Sequence, residues 1–161
     1  MSARPFIDTQ DFARNHSEIS GEVPVSGMER LTDLLADSQG VLHYALRGYS
    51  DKDGELYLDV EVEGVCQLLC QRCLQALAYP VAIHSRLLLQ AEDDLMQEED
   101  DAPDSIAPDR HLDVLALLED EVLLSLPIAP RHAECVAVYR QADQGGELHP
   151  FAALGQLKVV K

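Results

Sequence analysis

Two alternating runs, placed back to back around a Cys-x-x-Cys pair, constrain this chain more than any other feature. Leu56, Leu58, Val60 and Val62 alternate with Tyr57, Asp59, Glu61 and Glu63, and the even-numbered face continues through Cys66 and Leu68 to Cys70. Leu77, Tyr79, Val81, Ile83, Leu87 and Leu89 then recur at odd positions, broken by Ser85. Period two marks a half-buried strand, because successive side chains point to opposite faces. The runs predict a long antiparallel pair with Cys70 and Cys73 at its turn.

Three of the four cysteines lie within residues 66–73. Cys66 falls on the apolar face and reads as a small buried hydrophobe. Cys70 and Cys73 have a metal and redox spacing, and on a tight turn the two thiols suit a metal, a reversible disulfide or neither. A pair alone does not close a tetrahedral zinc site, which takes four ligands. Cys135 is the remaining thiol, with His132 three residues before it. Cys70, Cys73, His132 and Cys135 are therefore the candidate zinc set.

The rest of the chain supplies neighbours for the hairpin. Residues 4–15 form a weakly amphipathic segment suited to a short helix. Ile19, Gly21, Val23 and Val25 alternate, and Pro24 places that strand at an edge. Met28, Leu31, Leu34 and Leu35 have helical spacing, with Ser26 as a candidate N-cap. Val41 to Tyr49 reads as a strand with Leu42, Tyr44 and Leu46 on one face, and Asp51-Lys52-Asp53-Gly54 turns it into the hairpin. Leu115, Leu118, Val122 and Leu126, widened by Leu112 and Leu123, predict a helix over 112–126 that Pro127 stops. Pro150, Phe151, Leu154 and Leu157 predict a short terminal helix, with Lys158 and Lys161 at its C-terminal end. The expectation is one α+β domain over 1–161: an antiparallel sheet of three to four strands, packed by the 112–126 helix and short terminal helices. An acidic loop over 92–108 and an irregular tail over 127–149 complete it. A chain of this length buries roughly 70% of its unfolded surface without a disulfide framework.

Charge bears on partners. The formal net charge is −17, from 12 Lys+Arg against 29 Asp+Glu. Such a surface repels phosphate backbones, which proteins meet with Lys and Arg. It attracts basic partners. The block Glu92, Asp93, Asp94, Glu98, Glu99, Asp100, Asp101 and Asp104 contains no base and lacks the Asp-x-Asp-x-Asp-Gly register of a calcium loop. It reads as a solvated loop or as a dock for a basic segment. Glu119, Asp120 and Glu121 read as a solvated helix face or as an extension of that docking surface, while Arg72 is a candidate for local contact with RNA. No apolar run approaches the roughly 20 residues that span a bilayer. Unevenly spaced cysteines and a polar start favour a cytoplasmic setting.

Catalytic patterns are missing. The chain has no Gly-rich phosphate loop, no His-Glu-x-x-His and no Gly-x-Ser-x-Gly. Its six histidines are scattered. A Cys-x-x-Cys redox site normally opens a helix, whose N-terminus lowers the thiol pKa; here the pair falls between strands. The reading is a non-enzyme.

Taken in order, these segments resemble a known family. Cys70-Gln71-Arg72-Cys73-Leu74 lies between two strands and is followed by an acidic gap. Asp113-Val114-Leu115-Ala116-Leu117-Leu118-Glu119-Asp120-Glu121-Val122-Leu123-Leu124-Ser125-Leu126-Pro127 comes next, with Pro130 and His132 close behind. The sequence resembles the YceD family of bacterial and plastid proteins, described as large ribosomal RNA subunit accumulation proteins. Pro150 to Leu154 and Leu157-Lys158 resemble the end of proteobacterial members. The resemblance implies a non-enzymatic role in the synthesis, processing or accumulation of large-subunit ribosomal RNA. It also implies a large-subunit ribosomal protein as partner; the acidic charge favours a surface that holds such a protein or an assembly factor, with the effect on RNA indirect. The alternatives are a Cys-x-x-Cys thiol redox protein and a zinc-stabilised adaptor of another pathway.

Overall fold

The computed structural model describes residues 4–91 and 104–138. The helix expected over 150–158, most of the acidic block and the second half of the expected tail lie outside the described residues.

The alternating runs form the centre of the fold. Strand β4 (Leu56–Leu69) pairs antiparallel with β5 (Ala76–Leu89), from Tyr57 opposite Leu88 to Leu69 opposite Ala76. Strand β3 (Val41–Ser50) lies along the other side of β4, and β2 (Glu18–Pro24) forms the edge beyond it. The even face of β4 is the core: Leu58, Val60, Val62 and Cys66 are wholly buried, with Leu68 and Cys70 beside them. Full burial of each large side chain stabilises the fold by about 1.5–3 kcal/mol. The hairpin and its Cys-x-x-Cys turn therefore follow the alternation.

The sheet is larger and less uniform than expected. After the gap, β6 (Ser105–Ile106) pairs parallel to the end of β5, giving five strands in the order β2-β3-β4-β5-β6. The expected three to four antiparallel strands thus become a mixed five-stranded sheet. A two-residue strand shows no period, and Ser105–Ile106 follows an acidic run, so the pattern did not reveal it. A second small sheet joins β1 (Phe6–Ile7) to β7 (Leu112–Asp113).

Helices cover one face. Helix α1 (Thr9–Arg14) is capped by Asp8, which accepts from the Gln10 and Asp11 amides. It lies so close to β3 that a Cβ on Gly48 would meet the Phe12 carbonyl oxygen at 2.6 Å. Helix α2 (Val114–Ser125) starts two residues later than the apolar pattern predicts. Asp113 caps it by accepting from the Leu115 and Ala116 amides, and Leu112 pairs with β1. Its end fits the rule that a residue before proline leaves the helical region: Leu126, before Pro127, is extended.

The helix expected near Met28 to Ala36 is a 3-10 segment over Glu29–Leu34. Its bonds span three residues, as in Leu31 N–H to Met28 C=O. That period still turns Met28 and Leu31 inward, both fully buried. No helix among the described residues is long and apolar enough to cross a membrane.

Candidate metal centre

At the hairpin tip the chain reverses over residues 70–75. The Cys70 amide donates to Gln75 C=O at 3.0 Å, and the Leu74 amide donates to Cys70 C=O at 2.9 Å. Leu74 sits at φ 57°, the left-handed region. A residue with a Cβ is strained there by about 1–2 kcal/mol. The irregular segment after α2 folds back across this turn. The Gln71 amide donates to Pro130 C=O at 2.8 Å, the Val138 amide to Arg72 C=O at 3.2 Å, and Arg72 Nη1 to Cys135 C=O at 3.4 Å.

This return brings the four expected ligands together. One ligand atom from each of Cys70, Cys73, His132 and Cys135 falls within a mutual distance of 4.8 Å. Cys70 Sγ is 3.9 Å from Cys135 Sγ, and Cys73 Sγ is 3.3 Å from His132 Nδ1. Tetrahedral zinc with ordinary bond lengths separates two sulfurs by about 3.8 Å and sulfur from nitrogen by about 3.5 Å. The residues fit that ion.

The surroundings match as well. His132 Nε2 lies 3.0 Å from Ala76 C=O, so that nitrogen donates and the Nδ1 lone pair faces the sulfurs. Cys70 is buried, and burial opposes its ionisation. The amides of Cys73, His132 and Arg72 and the Cys73 thiol outweigh that, bringing its pKa from 9.0 down to about 5. Burial and the neighbouring Cys70 and Cys73 sulfurs push the Cys135 thiol up. One sulfur is thus ready as a thiolate, while the cluster holds more potential negative charge than it settles unaided. A cation resolves that conflict. Four protein ligands leave no open coordination position, the arrangement of a structural site. Cys66 takes no part; it is buried in the core, which raises its thiol.

The other residues singled out by sequence have different surroundings. Arg72 is half-buried, with its side chain and carbonyl both bonded to the returning segment. Glu119 is buried on α2 and accepts from both the amide and Nε of Arg30, at 2.6 and 2.9 Å. Asp120 pairs with Arg30 Nη1 while its side chain stays 54% exposed, and Ser85 Oγ donates to Glu121. Arg30 completes the clamp by donating from Nη2 to Ala116 C=O at 3.0 Å. Residues 119–121 thus connect α2 to the 3-10 segment and to β5. Sequence reasoning missed Arg30; a lone base amid acids was its only signal.

A family profile described as "Large ribosomal RNA subunit accumulation protein YceD" matches residues 58–158. No curated protein and no solved structure matches the chain significantly.

Proposed function

The chain belongs to the YceD family, and on that premise we propose that it is a non-enzymatic assembly factor for the large ribosomal subunit. The observation that carries this reading is the family match, whose description is accumulation of large-subunit ribosomal RNA. It supports a role in ribosome biogenesis.

Physical chemistry supplies the proposed route. With a net charge of −17, the protein repels an RNA backbone and attracts basic polypeptides. It holds a basic ribosomal protein or assembly factor, and the RNA outcome follows from that contact. Cys70, Cys73, His132 and Cys135 hold a zinc ion, which supplies a cross-link between the hairpin tip and the segment after α2. His132 is oriented by Ala76 C=O, and the amides around Cys70 keep its sulfur charged. A thiol redox role is the weaker reading, because an attacking thiolate needs access and Cys70 is wholly buried.

The test is the ratio of large- to small-subunit ribosomal RNA, with precursor ends mapped, in cells lacking the gene. A selective loss of the large-subunit species is expected. An unchanged ratio with normal ends would sink the assembly role. Metal analysis of purified protein tests the zinc separately, at one ion per chain.

A further inference from the structure

The peptide groups of β5 point alternately towards β4 and away from it. The Leu88 amide donates to Asp104 C=O at 2.8 Å and the Gln90 amide to Ile106 C=O at 3.0 Å, both on the β6 side. On the β4 side, the Cys70 amide donates to Gln75 C=O. A strand turns the N–H and C=O of one residue to the same side and alternates that side along the chain. The even-numbered residues of β5 therefore face away from β4. Ala76 agrees, since its carbonyl meets His132 Nε2 at 3.0 Å. So does Pro80, whose missing N–H falls on the outer side and takes nothing from the β4–β5 ladder. β6 pairs only with Leu88 and Leu89. Before it, Ala78, Pro80, Ala82, His84 and Arg86 present a row of peptide groups with no main-chain partner among the described residues.

The side chains beside that row leave it open. Ala78, Pro80 and Ala82 are exposed and small. Charged residues, bulges and prolines usually blunt an edge; from Ala78 to Ala82 only Pro80 does so, and it keeps its acceptor. On the inner face Leu77, Tyr79 and Ile83 are half-buried, although their β4 neighbours Leu68, Cys66 and Val62 are buried. The apolar layer thus stops short at this edge. What completes both is an extended polypeptide, whose own donors and acceptors repeat at the same spacing and whose alternate side chains extend the layer.

Charge selects which polypeptide. A second copy brings another −17 and is repelled. Glu63 stands directly opposite Ala82, exposed and in no ion pair among the described residues. Its neighbour on the other side, His43, turns Nδ1 to Glu22. Only the Ala82 methyl separates Glu63 from an added strand, so a lysine or arginine opposite Ala82 reaches it across two strand spacings, about 10 Å. We infer that the free edge of β5 is a strand-addition site for an extended segment of a basic protein. The segment pairs antiparallel, with apolar side chains on the Tyr79–Ile83 face and basic ones on the Ala82 face. The inference rests on the assembly-factor reading for the partner's class and deepens it by naming the mode of contact.

The test uses the full chain and a fluorescent, end-capped octapeptide of alternating lysine and valine. Antiparallel pairing bonds the peptide residues whose side chains share the Ala82 face, here the lysines. N-methylation of the lysine amides should weaken binding at least about ten-fold, and N-methylation of the valine amides less than about two-fold. Ala82→Pro deletes an outward donor without changing charge and should weaken binding about ten-fold; Ala82→Ser keeps the donor and should change it less than about two-fold. Glu63→Gln should weaken it about three-fold, the scale of one exposed ion pair. Asp53→Asn, at the turn between β3 and β4, removes the same charge and should have a smaller effect. Equal losses from the two methylated peptides, or equal binding by Ala82→Pro and Ala82→Ser, would overturn strand addition in favour of diffuse attraction. Sedimentation showing a dimer that Ala82→Pro dissociates would overturn it in favour of a second copy. Circular dichroism establishes that each variant folds, and the methylated peptides carry the test on the unmodified protein if Ala82→Pro does not. These measurements read binding alone, so their failure leaves the ribosomal RNA test standing.

Discussion

The body of the β4–β5 hairpin and its tip are continuous strands held by opposite kinds of force. In the body, Leu58, Val60 and Val62 are buried by apolar contact, and removing water is what stabilises them. At the tip, three sulfurs, one imidazole and a few amide bonds fix the returning segment, while Leu74, Val136 and Val138 stay exposed. The body is expected to persist without the tip, because its burial is its own. The tip is a crossing of two chain segments joined by hydrogen bonds and by the clustered Cys and His side chains. The proposed zinc would make the tip rigid by ligation where the body is rigid by burial.

The largest effect expected is at the tip. Cys73→Ser should lower zinc affinity by at least about 100-fold. Hydrogen exchange should then speed up over residues 127–138 but not over 56–63; uniform acceleration would mean that the two regions are one cooperative unit. Acid should act in the same direction, since protons compete with metal for thiolates. In the metal-free chain, Cys70 is depressed from 9.0 to about 5. Its ionisation therefore adds stability that is full above the ordinary thiol pKa and disappears as the pH falls through about 5. An acid-unfolding curve that is the same for the metal-free chain and its Cys70→Ser variant would refute this.

Next in size is the body. Leu58→Ala should cost about 2–5 kcal/mol and lower the denaturant midpoint of the whole sheet. A loss confined to the tip would contradict the division. Glu119→Ala should cost about 2 kcal/mol, because it leaves the Arg30 amide without its buried acceptor; urea unfolding measures it. The smallest change has the opposite sign. Leu74→Gly should stabilise the turn by about 1 kcal/mol, read as a rise in the midpoint with zinc stoichiometry unchanged.

The same contrast explains what the sequence disclosed. Period-two burial marks every second residue, so Leu56 to Leu69 and Ala76 to Leu89 were readable almost to their ends, and the turn with them. The four ligands were readable as a set because cysteine and histidine are sparse and carry a spacing rule. Their convergence was not readable: it depends on amide bonds from Gln71 and Val138 to carbonyls about 60 residues away in sequence, and such bonds leave no mark on side-chain pattern. Arg30 illustrates the same limit. Its partners Glu119 and Asp120 look like a solvated run until the 3-10 segment is laid against α2.

The pairing of β1 with β7 has a consequence for how the molecule is made. Thr9 donates to the Asp109 carbonyl from its amide and hydroxyl, the Asp109 amide donates back to that hydroxyl, and the Val114 amide donates to Pro5 C=O. The Thr9–Asp109 bonds join residues 100 apart in the chain, and the Val114–Pro5 bond spans still more. A nascent polypeptide can assemble β2 to β5 as soon as residue 89 has emerged, but its first strand must wait for residue 114. Loop closure over that distance costs entropy before any contact returns it. Residues 4–8 are thus exposed for the longest part of synthesis, and their docking records that translation has passed α2's first residue.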